Sequence, residues 1–282
     1  MRNLVHFVLY GWISFIIAFF RARRFRPDII ISDYEPFGHY IALFLHVPRV
    51  NIDNQSVITR TKHTSKDHTI DRKVVEILNW VMTWPAHQYI TTHFYPFQPL
   101  FKNTMILPVI LRKEVVHQRA RKGGHILVYQ TSHTYDELLP PLRSVREHFI
   151  IYPAQKNKKE AYITFKTFSE KGFLHDLATC RAVITNGGFS LMSEAVALQK
   201  PIYSIPVRHQ YEQIFNAQLV ARAKIGEHHD SIDVHSLKHF LKNLPLYERN
   251  IKKYSRCGND ELIRIVDGII SDVSDQKNTK PL

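Results

Sequence analysis

The segment 184–217 constrains the fold more than any other part of the chain, because it spells strand, glycine turn, helix, strand and helix in immediate succession. Ala182-Val183-Ile184 is an apolar run of buried-strand type. Asn186-Gly187-Gly188 then makes a turn free of Cβ crowding, where a backbone can approach a ligand. The pattern predicts a helix over 188–199, ended by Lys200-Pro201, and a strand over 202–205. Gln213 and Asn216 lie three apart on the next helix, where both amides can face one ligand. A helix that opens on such a turn offers unpaired N–H groups and the positive end of its dipole, which suits an anion such as a diphosphate. Glu194, about two turns further on, can accept hydrogen bonds from hydroxyls such as those of a ribose.

The same alternation extends along most of the chain. Strands are expected at 29–32, 49–52, 89–92, 126–130, 149–152, 163–165, 182–185 and 202–205. Helices are expected near 38–46, 71–83, 135–147, 172–180, 188–199, 211–223, 234–243 and 247–272. This predicts an α/β fold of parallel sheets covered by helices. A chain of 282 residues has room for two such domains. The boundary falls between 101 and 125, where the strand-like 106–111 contains Pro108 and the basic 112–124 ends in Gly123-Gly124. The expected division is 1–105, 106–246, and a C-terminal helix and tail, 247–282, that packs back on the first domain.

Charge narrows the partners. A net charge of +13 draws the chain to polyanions, anionic head groups or anionic substrates. Nucleic acid is not expected, since no zinc spacing, aromatic RNP-like strand or recognition helix accompanies the charge. Cys180 and Cys257 sit in no metal or redox spacing, which predicts a reducing cytoplasm and, for Cys180, a buried structural thiol. No Asp-x-Asp motif is present, and neither a metal nor any other cofactor is expected.

Residues 4–20 are mostly apolar and lead into four arginines, Arg21, Arg23, Arg24 and Arg26. A signal peptide would carry its charge ahead of the apolar run and a small-residue cleavage site behind it; neither is present. Three readings stand: a helix facing the interior or an interface, a helix lying on a membrane surface, or a short span.

Other chemistry-bearing residues follow strand ends, where open α/β sheets place their sites. Asp33, Glu35 and His39 are candidate general bases for an acceptor hydroxyl, although caps and solvated loops use the same residue types. Asn54 and Gln55 read as acceptor-side amides or as turn residues. Thr131 and Ser132 can donate to a phosphate, Phe168 and Phe173 can wall a base or simply pack, and His133 and His209 can touch phosphate from exposed loops.

Taken together, the segment 168–217 resembles the donor half of GT-B glycosyltransferases, in particular the N-acetylglucosaminyltransferase of peptidoglycan lipid precursors. The motifs Ile31-Ser-Asp-Tyr-Glu-Pro-Phe37, Asn51-Ile-Asp-Asn-Gln55, Leu127-Val-Tyr-Gln-Thr-Ser132 and Thr185-Asn-Gly-Gly-Phe-Ser-Leu191 resemble a group of bacterial and archaeal glycosyltransferases labelled teichoic-acid-biosynthesis-like. The resemblance implies two Rossmann-like domains and transfer of a hexosyl or N-acetylhexosaminyl group from a UDP-sugar to a hydroxyl of a cell-envelope or lipid-linked glycan. It implies that Glu194 holds the ribose, that Gly188, Phe189 and Ser190 meet the diphosphate, that Gln213 contacts the sugar, and that Phe168 or Phe173 lines uracil. Rival readings are a UDP-N-acetylglucosamine 2-epimerase and an inactive nucleotide-sugar-binding remnant. The chain departs from the family in lacking the opening strand and glycine-rich loop, so its first domain is expected to be short by about two βα units, roughly 80 residues. The apolar N-terminus and the charge together predict peripheral attachment at the inner face of an anionic cell membrane.

Overall fold

The computed structural model describes residues 2–63, 69–130, 135–254 and 257–278. Among them, β1 (Ile30–Ser32), β2 (Arg49–Asp53), β3 (Gln88–Thr92) and β4 (Thr104–Leu107) pair in chain order as a parallel sheet. Helices α1 (Arg2–Phe25), α2 (Pro36–Leu45), α3 (Val57–Arg60) and α4 (Thr69–Thr83) belong to this half. Pro108 lacks the N–H that would continue β4, so the strand expected at 106–111 stops at Leu107.

The second sheet has the order β11-β10-β9-β5-β6-β8-β7. Its strands are β5 (His125–Tyr129), β6 (His148–Tyr152), β7 (Lys158–Glu160), β8 (Ile163–Phe165), β9 (Ala182–Thr185), β10 (Ile202–Ser204) and β11 (Gly226–His228), and β7 alone runs antiparallel. Alternation along β5 sends Leu127 and Tyr129 to one face and Ile126 and Val128 to the other, which seeds the two apolar layers of this half. The helices are α5 (Lys113–Val116), α6 (Tyr135–Arg143), α7 (Glu170–Thr179), α8 (Phe189–Ala197), α9 (Tyr211–Arg222), α10 (Val234–Ile251) and α11 (Asn259–Asn278).

Other elements also differ from the expectation. β7 and β11 are too short and too polar to show an apolar period. The helix expected to break near 243–247 instead continues as α10 through Pro245. A capping box between Asp233 and Ser236 starts it, and Leu237, Phe240, Leu244, Tyr247 and Ile251 bury one continuous stripe. It ends at Ile251, and α11, from Asn259, lays Leu262, Ile265, Val266 and Ile269 against Val50, Ile90 and Leu107 of the first sheet.

The chain therefore crosses between the halves twice, and the crossings touch. Gly258 N donates to Val109 O at 2.8 Å, while the Asn259 side chain accepts from Leu111 N at 2.9 Å and donates to Leu111 O at 2.7 Å. The largest apolar cluster runs through this junction, joining Val57, Phe94, Phe97 and Val109 to Phe173, Met192 and Phe215.

Helix α1 is a surface helix, not an interior one. Phe15 meets Phe37 and Phe44 on α2 with ring centroids 5.5 and 6.2 Å apart. Trp12, Ile13, Ile16, Ile17 and Phe20 stay exposed. No helix among the described residues is long and apolar enough to cross a membrane.

Candidate active site

Helix α8 begins where β9 ends, and nothing caps it. Gly188 is its N-cap residue, with no side-chain hydrogen bond to the first turn. The N–H groups of Phe189, Ser190 and Leu191 therefore face outward without a helical partner. They open into a cavity of 620 Å³ lined by Ile110, Leu111, Arg112, Tyr129, Phe168, Phe173, Thr185, Asn186, Gly188, Phe189, Ser190, Leu191, Ser193, Glu194 and Gln213. A cavity of that size takes a nucleotide-sized ligand.

The two glycines differ in what they do. At Gly187, φ is +139°, and a Cβ would lie 2.7 Å from Gln213 O, so glycine is required by the close approach of α9. At Gly188, φ is −63° and a Cβ would meet no protein atom within 4 Å. The missing side chain there leaves space in the cavity.

Met192, Ala195 and Val196 fix α8 against the core, each fully buried. Burial of such side chains contributes about 1.5–3 kcal/mol apiece for the larger ones. Glu194, on the same helix, faces the cavity and is gripped by Arg112: Nε donates to Oε1 at 2.7 Å and Nη2 to Oε2 at 3.1 Å. The Arg112 Nη1 reaches Glu170 Oε1 at 2.6 Å. Arg112 belongs to the basic stretch 112–124 at the domain boundary, and its value to the site comes from the fold bringing it beside α8.

Phe168 and Phe173 form one side of the cavity with ring centroids 5.7 Å apart. Phe173 is buried against Tyr129 and Tyr152, and Phe168 is exposed and available for stacking. Phe189 contributes its backbone to the cavity mouth, while its ring sits 4.9 Å from His93 of the first half. Thr131, Ser132 and His133 lie outside the described residues.

Gln213 lines the cavity, with Oε1 accepting from Val207 N at 3.1 Å and Nε2 donating to Gln210 Oε1 at 2.5 Å. Asn216 does not join it. Its side chain is buried and donates to Gly187 O at 3.1 Å, so it supports the turn from behind instead of facing a ligand. Asn186 is buried at the turn, its carbonyl accepting from Ser204 Oγ at 2.9 Å. His209 is exposed, 3.5 Å from Asp71. Cys180 is a buried thiol whose pKa burial pushes up to about 12.

In the first half, two of the three candidate bases are occupied structurally. Glu35 caps α2, accepting from Phe37 N at 2.9 Å and Gly38 N at 2.8 Å. His39 is fully buried beside Asn51, 3.2 Å away, and burial lowers its pKa. Asp33 remains exposed at the end of β1. Asn54 donates to Glu212 Oε1 of α9 at 3.2 Å across the junction, and the Gln55 carbonyl accepts from Asn79 at 2.9 Å. Burial raises the pKa of Glu212 and of nearby Asp53, and pushes Tyr34 up to about 12 with help from both. No local pattern in the sequence joins this junctional group, since Tyr34, Asp53 and Asn54 come from the first half and Glu212 from α9 of the second.

The family model described as Glycosyl transferase family 1 matches residues 1–245. The chain belongs to that family. It is a glycosyltransferase, and its fold is that of GT-B glycosyltransferase structures. No protein of curated function matches it by sequence. A Glycyrrhiza uralensis UGT complexed with glycyrrhetinic acid 3-O-monoglucuronide superposes with a TM-score of 0.68 at 12% identity, covering 98% of this chain and 80% of that one. The glycosyltransferase SnogD from Streptomyces nogalater gives 0.57 at 18% identity, covering 89% and 75%. Spinosyn rhamnosyltransferase SpnG complexed with thymidine diphosphate gives 0.57 at 12% identity, covering 90% and 75%. At these identities the likeness concerns the fold.

Proposed function

We propose that this glycosyltransferase moves a hexosyl or N-acetylhexosaminyl group from a UDP-sugar to a hydroxyl of a cell-envelope or lipid-linked glycan. The observation that carries the donor reading is the uncapped start of α8 opening into a cavity that also holds Arg112, Glu194 and two phenylalanines. The acceptor oxygen attacks the anomeric carbon as its proton passes to a base, and the bond from that carbon to the diphosphate oxygen breaks. Backbone N–H groups of Phe189 to Leu191 and the Arg112 guanidinium stabilise the charge on the departing UDP. Ribose hydroxyls donate to Glu194, and Phe168 stacks on the base. Asp33 is the favoured base of the three candidates, because it is the one not committed to a cap or a core.

The apolar surface supports work at an anionic membrane. Trp12 is 67% exposed, and Ile13, Ile16, Ile17 and Phe20 share its helix, with Arg21, Arg23 and Arg24 at the end of α1 and Arg26 just beyond. Apolar anchors beside a basic cluster suit an anionic lipid surface.

The test is release of UDP from UDP-sugars by the purified chain, with and without a lipid-linked glycan acceptor. Acceptor-dependent release is expected. Interconversion of UDP-sugars without acceptor would replace the transfer reading with an epimerase.

A further inference from the structure

We propose that the aromatic run His93-Phe94-Tyr95-Pro96-Phe97 of the first half holds the diphosphate end of the donor site in shape, with His93 and Phe94 as positioning residues that grip the Phe189 ring. This rests on the donor reading above and adds the residues of the opposite half on which that site depends.

The start of α8 needs an outside restraint. Its N-cap is Gly188, which offers the first turn no side-chain acceptor and, having no Cβ, restrains its own backbone least of any residue. A helix end of that kind frays, and a frayed turn scatters the N–H groups of Phe189, Ser190 and Leu191 that meet a diphosphate. A ligand would then have to order the turn as it bound, at a cost in affinity.

Phe189 supplies the restraint through its ring. The half-buried ring reaches the first half, where its centroid lies 4.9 Å from that of His93 and 6.3 Å from that of Phe94, the second pair nearly parallel at 15°. Both separations fall in the range of about 4.5–7 Å at which ring pairs attract. The ring and the N–H share one Cα, so holding the first holds the second.

The gripping residues are themselves fixed. Phe94 and His93 are buried, and His93 Nδ1 accepts from Tyr95 N at 2.9 Å, which sets the orientation of the imidazole. Tyr95 stacks on Tyr254 with centroids 6.4 Å apart, and Phe97 stacks on Phe215 of α9 at 6.1 Å. Asn216, which braces the glycine turn from behind through Gly187 O, lies beside the same histidine. The run follows the end of β3, where sheets of this kind place functional loops, and here the loop serves the site of the other half.

The experiment measures UDP by titration calorimetry and uridine by saturation-transfer NMR on the whole chain. It compares the wild type, Phe94→Ala, Phe94→Leu, Phe189→Ala and the Phe94→Ala/Phe189→Ala double variant, with thermal melts confirming that each folds. Uridine lacks the diphosphate and reports on the rest of the cavity. Phe94→Ala and Phe189→Ala are each expected to weaken UDP roughly tenfold and to leave uridine unchanged. The double variant is expected to bind UDP no more weakly than either, since both substitutions break one contact. Phe94→Leu keeps an apolar contact on the ring and is expected to recover most of the affinity; with Phe189→Ala it carries the test if Phe94→Ala fails to fold. Unchanged UDP affinity in the folded alanine variants, parallel loss of UDP and uridine, or additive losses in the double variant would reduce the rings to core packing. Each of these overturns the inference and leaves the donor reading standing. Failure of UDP to bind the wild type at all overturns both.

Discussion

Asn216 donates its side-chain amide to the carbonyl oxygen of Gly187 at 3.1 Å, tying the middle of α9 to the turn that opens α8. Both groups are buried, so removing the amide strands a carbonyl inside the protein. Asn216→Ala is expected to cost about 1–3 kcal/mol of stability, read as a lower midpoint in urea unfolding. An unchanged midpoint would show that the turn holds itself.

The adjacent glycines should separate folding from binding. Gly187→Ala places a Cβ against Gln213 in a backbone region that side chains rarely adopt, so it should lower the melting temperature. Gly188→Val meets open space and should melt near the wild type, yet lose UDP affinity because its side chain fills the approach to the α8 N-terminus. Calorimetry on the folded Gly188→Val protein decides it: native affinity would make the second glycine irrelevant to the ligand.

Stability should depend on pH through His93. Its ring lies among Phe94, Phe97 and Phe189, its Nδ1 accepts from Tyr95 N at 2.9 Å, and burial pushes its pKa down to about 3. The unfolded chain protonates this histidine below about pH 6.5, the folded chain only near pH 3. Between those values the unfolded state binds more protons, so stability is whole above the window and falls as pH falls through it. The slope from one such group is at most about 1.4 kcal/mol per pH unit. His93→Asn keeps an acceptor for Tyr95 and should flatten the fall between pH 6.5 and 4, measured by unfolding at several pH values; parallel profiles would assign the acid sensitivity elsewhere.

Attachment to lipid should depend on the exposed side of α1. Replacing Trp12 and Ile16 with glutamate removes apolar area and adds negative charge, without disturbing the contacts of Phe15 with α2. The doubly substituted protein should stop co-sedimenting with vesicles containing phosphatidylserine or phosphatidylglycerol, while the wild type sediments and is released by salt. Equal sedimentation of both would locate the contact on another surface.

Much of the fold was legible in the sequence because parallel strands buried on both faces leave plain apolar runs, as at Ala182-Val183-Ile184 and Ile126-Leu127-Val128. The glycine turn was legible because two adjacent glycines between a strand and a helix mark a constrained backbone or space kept for a ligand, and Gly187 and Gly188 take one role each. What stayed hidden depends on distance in the chain. Arg112 and Glu194 are 82 residues apart, and no local pattern joins them. Asn216 shares a helix with Gln213, but spacing alone could not tell which amide faces the cavity and which braces the turn. Glu35 and His39 have the residue types of a base; the cap at the start of α2 and the core around Asn51 claim them first.

The paired crossings at Val109 and Gly258 also determine how the halves can move. Two strands of chain laced side by side behave as a strap hinge: they flex readily about one line and resist torsion. A swing of the halves should therefore keep to one plane and leave the cavity intact, because its lining from Ile110 to Gln213 lies on one side of the strap and Arg112 is rooted beside it.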